Sequence, residues 1–286
     1  MHVVTPSITL RGSVVSFHQP WVMGILNLTP DSFHDGGAWN KPAAALAQAD
    51  RMLAEGADML DLGAQSTRPG AKLLGADAEW NRLSPVLSAL KKAHPDAILS
   101  VDTFHAEVAR RALAEGADVI NDVSGGDADP DMWAVVAQAC APYVLMHMQG
   151  TPATMQDNPT YKDVVHEVVT HLQRRVHAAY QAGVSDVIAD VGFGFGKTLA
   201  NNYALLDALD QFQELQCPIL AGLSRKSMIQ KVIGVDSQHA LNGTTALHAW
   251  ALDRGAHILR AHDVAEAKEA VALHQALVES RSLDAT

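Results

Sequence analysis

Four stretches of the chain repeat one order: a helical end, a glycine, and a short apolar run that turns polar. They read LAEGADMLDLG at 53–63, LAEGADVINDV at 113–123, QAGVSDVIADV at 181–191 and DRGAHILRAHD at 253–263. Their glycines, Gly56, Gly116, Gly183 and Gly255, lie 60, 67 and 72 residues apart. A glycine there suits the left-handed position that ends a helix, and the apolar run is typical of a buried parallel strand.

One strand and its helix take about 30 residues, so each interval must hold a further strand. Apolar runs at 97–103, 143–148 and 218–224 supply these strands, and the run at 21–29 brings the total to eight. The segments beside these strands have helical periodicity, which predicts helices at 42–55, 77–93, 105–115, 130–140, 161–182, 200–214, 226–252 and 264–279.

The alternation predicts an α/β fold, a single-domain (β/α)8 barrel of the TIM type. Its core would span about 21–280, and residues 1–20 are expected to form an extension that packs on it. An open doubly wound sheet is the alternative. Such a sheet more often has fewer strands and a nucleotide fingerprint in its first turn, which is absent here.

The composition excludes several classes of protein. The 286 residues are 48 % hydrophobic and 19 % charged, which is typical of a globular chain. The 21 Lys and Arg against 32 Asp and Glu give a net charge of −11, which argues against general binding to nucleic acid or to an anionic membrane. Cys140 and Cys217 are far apart and are expected to be reduced thiols. With neither a signal peptide nor an 18-residue apolar run, we expect a cytoplasmic protein.

Polar or ionisable side chains end all eight predicted strands. In strand order they are Asn27; Asp61 followed by Ser66, Thr67 and Arg68; Asp102; Asn121 and Asp122; His147; Asp190; Ser224, Arg225 and Lys226; and Arg260, His262 and Asp263. One such residue is commonly a cap or a turn former. Because the strand ends of a barrel meet at one mouth, eight of them together indicate a functional site.

Three of these residues, Asp102, Asn121 and Asp190, end strongly apolar strands and should be half-buried. Buried carboxylates and amides need hydrogen-bonding partners. A flat polar heterocycle with amino and ring N–H donors would satisfy them. Hydrogen bonds to neighbouring loops are the alternative for any one of them.

A second group is cationic, although the protein is acidic. Its members are Arg68, Lys226, Arg260 and His262. A single arginine is commonly a surface ion pair, whereas this group favours an anion site, since guanidinium forks bind phosphate oxygens in pairs. Asn27 and the Thr67 hydroxyl could complete an anion or Mg²⁺ site.

The run VGFGFGKT at 191–198 ends like the phosphate-binding loop G-x-x-x-x-G-K-[ST]. Val191 stands where that loop needs its first glycine, so a nucleotide hydrolase is the weakest interpretation. The glycines instead indicate backbone that approaches a ligand. The likeness of Lys197 to the lysine of the nucleotide loop is expected to be accidental.

Eight segments together resemble the dihydropteroate synthase family, in that family's order. They are MGILNLTPDSFHDGG (23–37), STRPGA (66–71), SVDT (100–103), IND (120–122), LMHMQGTP (145–152), GFGFGK (192–197), SRKS (224–227) and RAHD (260–263). The resemblance implies folate synthesis. In that reaction (7,8-dihydropterin-6-yl)methyl diphosphate and 4-aminobenzoate give 7,8-dihydropteroate and diphosphate, with Mg²⁺ as cofactor. It also implies a homodimer that sulfonamides inhibit at the 4-aminobenzoate site.

The resemblance also implies a role for each matching residue. Asp102, Asn121, Asp190 and Lys226 would hold the pterin; Asn27, Thr67, Arg68, Arg260 and His262 the diphosphate, with Asn27 also holding Mg²⁺; and Phe33, Pro69, Phe195 and Ser224 the 4-aminobenzoate. The catalytic residues would be Asp102, Asp190, Lys226, Arg68 and Arg260. Diphosphate would leave first, and the aromatic amine would attack a pterin methylene cation. Loops 28–40 and 63–76 would close as lids.

Four residues depart from the family's pattern, namely Ala64, Gln65, Phe104 and Val191, and none falls on an assigned contact. Two other functions compete. A methyltetrahydrofolate methyltransferase-like barrel would share the Asp/Asn pocket but would not need STRPGA together with SRKS. A non-catalytic pterin-binding paralogue should have lost the cationic group, which is present here.

Overall fold

A closed barrel of eight parallel strands organises the described part of the chain. The structure is a computed structural model that describes residues 5–28, 41–65, 73–151, 154–155 and 157–283. Its strands are β1 (Ser7–Leu10), β2 (Ser13–Ser16), β3 (Trp21–Asn27), β4 (Met59–Gly63), β5 (Leu99–Asp102), β6 (Val119–Asp122), β7 (Tyr143–Met146), β8 (Val187–Asp190), β9 (Ile219–Ala221) and β10 (Ile258–Ala261). Strands β3 to β10 pair in chain order, and β10 closes the barrel on β3. The predicted (β/α)8 barrel is confirmed.

Helices cover the outside of the barrel. They are α1 (Lys41–Ala54), α2 (Ala76–Ala93), α3 (Ala106–Ala114), α4 (Met132–Ala139), α5 (Val164–Gln181), α6 (Leu199–Asp207), α7 (Ser227–Ile233), α8 (Leu241–Asp253) and α9 (Val264–Leu283). The repeated glycines Gly56, Gly116, Gly183 and Gly255 have φ between 90° and 96°, which confirms their left-handed position after a helix. Among the described residues, no helix combines the length and apolar character needed to cross a membrane.

Two predicted helices are divided in the structure. The helix expected at 226–252 is wrong as one element, because Gly234 takes φ 70° and ends α7. Asp236 then accepts hydrogen bonds from the backbone N–H groups of Gln238 and His239, which shapes a turn before α8 begins. The helix expected at 200–214 is α6 followed by a 3₁₀ helix, Leu209–Leu215.

An antiparallel hairpin of β1 and β2 covers the amino end of the barrel. Its apolar side chains Ile8, Leu10 and Phe17 pack into one cluster with barrel residues that include Met23 and Met59. Burial of this apolar surface stabilises the hairpin on the barrel. The amino end of the barrel is thus filled with hydrocarbon.

Side chains along the strands alternate between the inside and the outside of the barrel. In β4, Met59 belongs to the inner cluster and Leu60 to the core under the helices. Asp61 is the next inward position, one layer above Met59 towards the carboxyl ends. The barrel interior therefore changes from apolar to polar along its axis, and the polar layers lie at the mouth where barrel enzymes place their sites.

Candidate functional site

Asp61 is the centre of the first polar layer and is completely buried. Its carboxylate accepts hydrogen bonds from Ser100 Oγ at 2.6 Å, Asn121 Nδ2 at 3.0 Å and Arg260 Nε at 2.7 Å. These donors come from β5, β6 and β10. Sequence reasoning saw Asp61 only as a strand end without a role. The structure makes it the residue that orients Asn121 and Arg260.

Arg260 connects this layer with the next one. Its Nη2 donates to Asp102 Oδ2 at 3.0 Å, so one guanidinium joins the carboxylates of β4 and β5. The sequence interpretation put Arg260 in a separate anion group, whereas here it lies among the carboxylates predicted to hold the pterin. Burial raises the pKa of Asp102 to about 8; the Arg260 charge opposes this shift, and the nearby Asp61 charge adds to it.

Asp190 and Lys226 meet on the opposite side of the mouth. Asp190 ends β8, and its Oδ1 accepts from the Gly192 N–H at 2.8 Å. A Cβ placed on Gly222 would lie 3.9 Å from Asp190 Oδ2 and 3.6 Å from Lys226 Nζ, so both groups adjoin Gly222. Burial raises the pKa of Asp190 and lowers that of Lys226 to about 8, although Asp190 opposes the second shift.

Lys226 also contacts the glycine-rich loop. Its Nζ donates to the Phe193 carbonyl and lies 4.8 Å from the centroid of the Phe195 ring. Phe195 in turn packs beside a small apolar cluster that contains Phe104 and Met146. The residues predicted for the pterin and for 4-aminobenzoate thus adjoin one another at this point.

Ser224 and His262 are direct neighbours, although the sequence interpretation assigned them to different substrates. The Ser224 hydroxyl accepts from the His262 N–H at 3.1 Å and lies 3.0 Å from His262 Nδ1. The ends of β9 and β10 therefore share one hydrogen-bonded corner. The predicted 4-aminobenzoate and diphosphate subsites adjoin there.

Arg225 is a bracing residue to which sequence reasoning gave no role. Its guanidinium forms a two-point ion pair with Asp263, with N–O distances of 2.8 and 2.7 Å. It also donates to the carbonyls of Ser237 and Gln238. These contacts hold the loop that carries Ser224 and Lys226. The sequence contains one indication of this role. Arg225 is an additional cation inside SRKS, and Asp263 of RAHD supplies an anion at the end of the following strand.

Oxygen atoms suited to a hard cation occur at the end of β3. Asn27 Oδ1 and Asp102 Oδ2 both lie 3.7 Å from the position that a Cβ of Gly63 would take. Amide and carboxylate oxygens are ligands that Mg²⁺ accepts, commonly together with substrate phosphate and water. In the described part of the chain, no group of three or more His, Cys, Asp or Glu is arranged to hold a metal. The donor set fits a cation that the substrate helps to hold.

Two glycines of the 191–198 loop, Gly192 and Gly196, approach protein backbone, which differs from the expectation that the glycines of this loop make room for a ligand. A Cβ on Gly192 would lie 1.9 Å from the His147 carbonyl oxygen, and one on Gly196 would lie 2.5 Å from that of Gln149. Both glycines also have positive φ, of 72° and 60°. The loop after β8 therefore lies directly against the chain that follows β7.

Four predicted site residues, Phe33, Thr67, Arg68 and Pro69, lie outside the described residues. The other predicted residues lie in the barrel strands or within five residues of their carboxyl ends, and they are Asn27, Asp102, Asn121, Asp190, Phe195, Ser224, Lys226, Arg260 and His262. A neighbouring groove of about 490 Å³ is lined by His147, Tyr161, His166, His171 and Arg174 among others. Of the polar strand ends predicted to form the site, His147 lines this groove, whereas none of the residues assigned to a substrate does.

Comparison with known proteins finds relatives that match most of the chain. The family described as "Pterin binding enzyme" matches residues 23–262. The dihydropteroate synthase of Escherichia coli K12 is 40 % identical over 273 residues, covering 95 % of this chain and 96 % of that protein. The chain belongs to the dihydropteroate synthase family of pterin-binding enzymes. The resemblance found in the sequence is confirmed.

Solved structures of the dihydropteroate synthase family share the fold. The Xanthomonas albilineans enzyme with 4-aminobenzoic acid has a TM-score of 0.89 and 43 % identity, covering 96 % of this chain and 98 % of that chain. The Yersinia pestis enzyme in a sulfonamide drug complex has a TM-score of 0.90 and 40 % identity, covering 96 % and 99 %. Family membership thus extends over the whole barrel, including the strand ends described above.

Proposed function

We propose that this chain condenses (7,8-dihydropterin-6-yl)methyl diphosphate with 4-aminobenzoate to 7,8-dihydropteroate and diphosphate. The observation that carries the proposal is the convergence of Asp102, Asn121, Asp190 and Lys226 at one mouth, in a chain of the dihydropteroate synthase family. The family's ligands in solved structures include 4-aminobenzoic acid. A catalytically inactive paralogue would not need to keep this set together with Arg260.

The hydrogen-bonding groups suit a pterin ring. Asn121 commits its Nδ2 to Asp61, which leaves its amide oxygen as an acceptor for a ring or amino N–H. Asp102 and Asp190 add carboxylate acceptors, and Lys226 supplies a donor for a ring carbonyl or nitrogen. A flat heterocycle with donors on one edge and acceptors on another satisfies all four side chains.

The reaction separates charge, and the mouth of the barrel carries side chains that can stabilise both the positive and the negative charge. The bond between the methylene carbon and the diphosphate oxygen breaks, and its electron pair leaves with diphosphate. The fixed carboxylates of Asp102 and Asp190 stabilise the positive charge that spreads into the pterin. The amine lone pair of 4-aminobenzoate then forms the new C–N bond, and its surplus proton leaves to diphosphate or water. The amine needs positioning rather than a strong base.

The departing diphosphate is assigned to Asn27, Thr67, Arg68, Arg260 and His262. Asn27 is the side chain that would hold Mg²⁺, because its amide oxygen faces the same space as Asp102. Bound there, the cation would neutralise charge on diphosphate oxygens. Phe33, Pro69, Phe195 and Ser224 would line the 4-aminobenzoate subsite.

The pH dependence should be bell-shaped. Asp102 carries the negative charge that stabilises the pterin cation only when it is ionised, and its pKa is raised to about 8, so kcat/KM for the pterin diphosphate should fall as pH drops below that value. Lys226 donates best as an ammonium, and its pKa is lowered to about 8, so kcat/KM should fall again at higher pH. Asp102→Asn should remove the part of the acidic limb that Asp102 contributes, leave the part that Asp190 contributes through its own raised pKa, and keep the alkaline limb. A flat profile between about pH 6 and pH 9 would contradict this assignment.

Sulfonamides should compete with 4-aminobenzoate because both present an aromatic amine on a flat ring. We expect the apparent KM for 4-aminobenzoate to rise with sulfonamide concentration while kcat at saturation stays constant. Phe195→Ala should weaken the binding of 4-aminobenzoate and of the sulfonamide together, because the Phe195 ring offers both molecules the same apolar face. Steady-state inhibition kinetics measure both effects. Unchanged rates at saturating sulfonamide would count against this subsite.

A homodimer fits the surface of the last two helices. Trp250 of α8 and Leu273, Leu277 and Val278 of α9 are 45–75 % exposed, and these helices pack side by side. We expect sedimentation at twice the chain mass, and Leu273→Glu should yield monomers. A monomeric wild-type protein would refute this assembly.

The two free cysteines, Cys140 and Cys217, fit a cytoplasmic location.

A further inference from the structure

We propose that Lys197 is a positioning residue, whose ammonium ties the loop after β8 to the end of β7 and so sets Phe195 for 4-aminobenzoate. The inference deepens the proposed function and rests on it for the identity of that substrate. Lys197 does not need to touch a substrate to act in this way.

The contacts of Lys197 join two loops. Its Nζ lies 2.9 Å from the carbonyl oxygens of Gly192 and Phe195, which belong to its own loop. It also lies 3.2 Å from the carbonyl oxygen of His147 and 2.9 Å from His147 Nδ1, at the end of β7. The side chain is only 4 % exposed. The close approach of Gly192 to His147 O places these acceptors around one point.

The geometry favours a charged amine. Three backbone carbonyls and His147 Nδ1 lie within hydrogen-bonding distance of Lys197 Nζ, and the ammonium form of lysine, with three N–H groups, serves more of them than the neutral amine, with two. Burial lowers the pKa of Lys197 to about 7, while burial and the Lys197 charge lower that of His147 to about 2, so His147 stays neutral and its Nδ1 can accept. None of the four acceptors is a carboxylate. An apolar side chain would leave these oxygens without the N–H groups that Lys197 supplies and would no longer tie the two loops together.

The loop that Lys197 ties carries three contacts of the proposed site. Its Gly192 N–H donates to Asp190, its Phe193 carbonyl accepts from Lys226, and its Phe195 ring lies under the Lys226 ammonium. Asn202 braces the same loop independently, through Gly194 N and the Thr198 carbonyl. Loss of Lys197 should therefore displace the loop without unfolding the chain.

The test is Lys197→Met, which removes the ammonium and keeps an unbranched side chain. We expect the KM for 4-aminobenzoate to rise about tenfold or more, with a smaller change in kcat, because misplacement of a binding group weakens productive contact. Amide hydrogen exchange at 192–196 should accelerate in the same variant. Lys268→Met is the matched control. Lys268 pairs with Asp58 near the start of β4, so its loss should change neither readout.

A double-mutant cycle with Phe195→Ala separates positioning from a general structural role. If Lys197 acts through Phe195, the two effects on KM should be far from additive. Additive effects, or a loss of stability with unchanged KM and unchanged exchange at 192–196, would overturn the proposal. If Phe195→Ala alone leaves KM unchanged, the 4-aminobenzoate assignment fails, while the exchange experiment still decides whether Lys197 orders the loop.

Discussion

Asp190→Asn should lower kcat/KM for the pterin diphosphate by about 10²–10³-fold in a chain that remains folded, as expected when a buried charge that stabilises the transition state is lost. Asparagine keeps an oxygen for the Gly192 N–H, so the backbone contact survives. It cannot supply the negative charge that faces the pterin cation beside Lys226. Steady-state kinetics with varied pterin diphosphate measure the loss.

The control is Asp186→Asn, just before the start of the same strand. Asp186 accepts from the Thr9 N–H of the hairpin, at the end of the barrel away from the mouth. Its substitution should leave kcat/KM within about twofold of the wild type, because that face of a barrel serves stability. Equal losses in the two variants would show that Asp190 acts only through folding.

Arg260→Met should reduce the free energy of unfolding by about 3–5 kcal/mol, since it leaves buried carboxylates without their cation. Asp61 would keep Ser100 and Asn121 as donors but lose Arg260 Nε, and Asp102 would lose Nη2. Chemical denaturation measures the change through the midpoint at constant m-value. Activity should fall as well, because Arg260 holds both Asp61 and Asp102 in place.

Two further variants decide whether the buried network is the cause. Arg254→Met removes an exposed ion pair with Asp207 and should cost about 0–1 kcal/mol. Adding Asp61→Asn to Arg260→Met should recover a good part of the loss, because the uncompensated carboxylate is gone. A loss no larger than that of Arg254→Met, or no recovery in the double variant, would contradict the network.

The barrel could be predicted because its pattern is local. Each repeated glycine follows a helix and precedes an apolar run, so Gly56, Gly116, Gly183 and Gly255 mark the units without knowledge of the fold. The prediction of one undivided helix at 226–252 was wrong for an equally local reason. Gly234 and the polar turn at 235–239 interrupt the helical pattern, and the sequence interpretation gave them too little weight.

The site could be predicted as a set of strand ends but not as a network. Arg260 and Asp61 lie 199 residues apart, and only the closure of β10 beside β3 and β4 brings the guanidinium between two carboxylates. Lys197 and His147 are 50 residues apart in the chain. Their contact depends on Gly192, whose lack of a side chain lets the two loops approach each other. The residue types therefore indicated which functional groups the site contains, whereas tertiary contacts determined which side chains pair with one another.

The most direct measurement incubates the purified chain with pterin diphosphate, 4-aminobenzoate and Mg²⁺ and follows two products at once. We expect diphosphate and 7,8-dihydropteroate to appear in equal amounts, and both to fall together in Asp190→Asn. Omission of 4-aminobenzoate should abolish dihydropteroate formation. No diphosphate above background, or diphosphate released without dihydropteroate in the complete mixture, would contradict the proposed condensation.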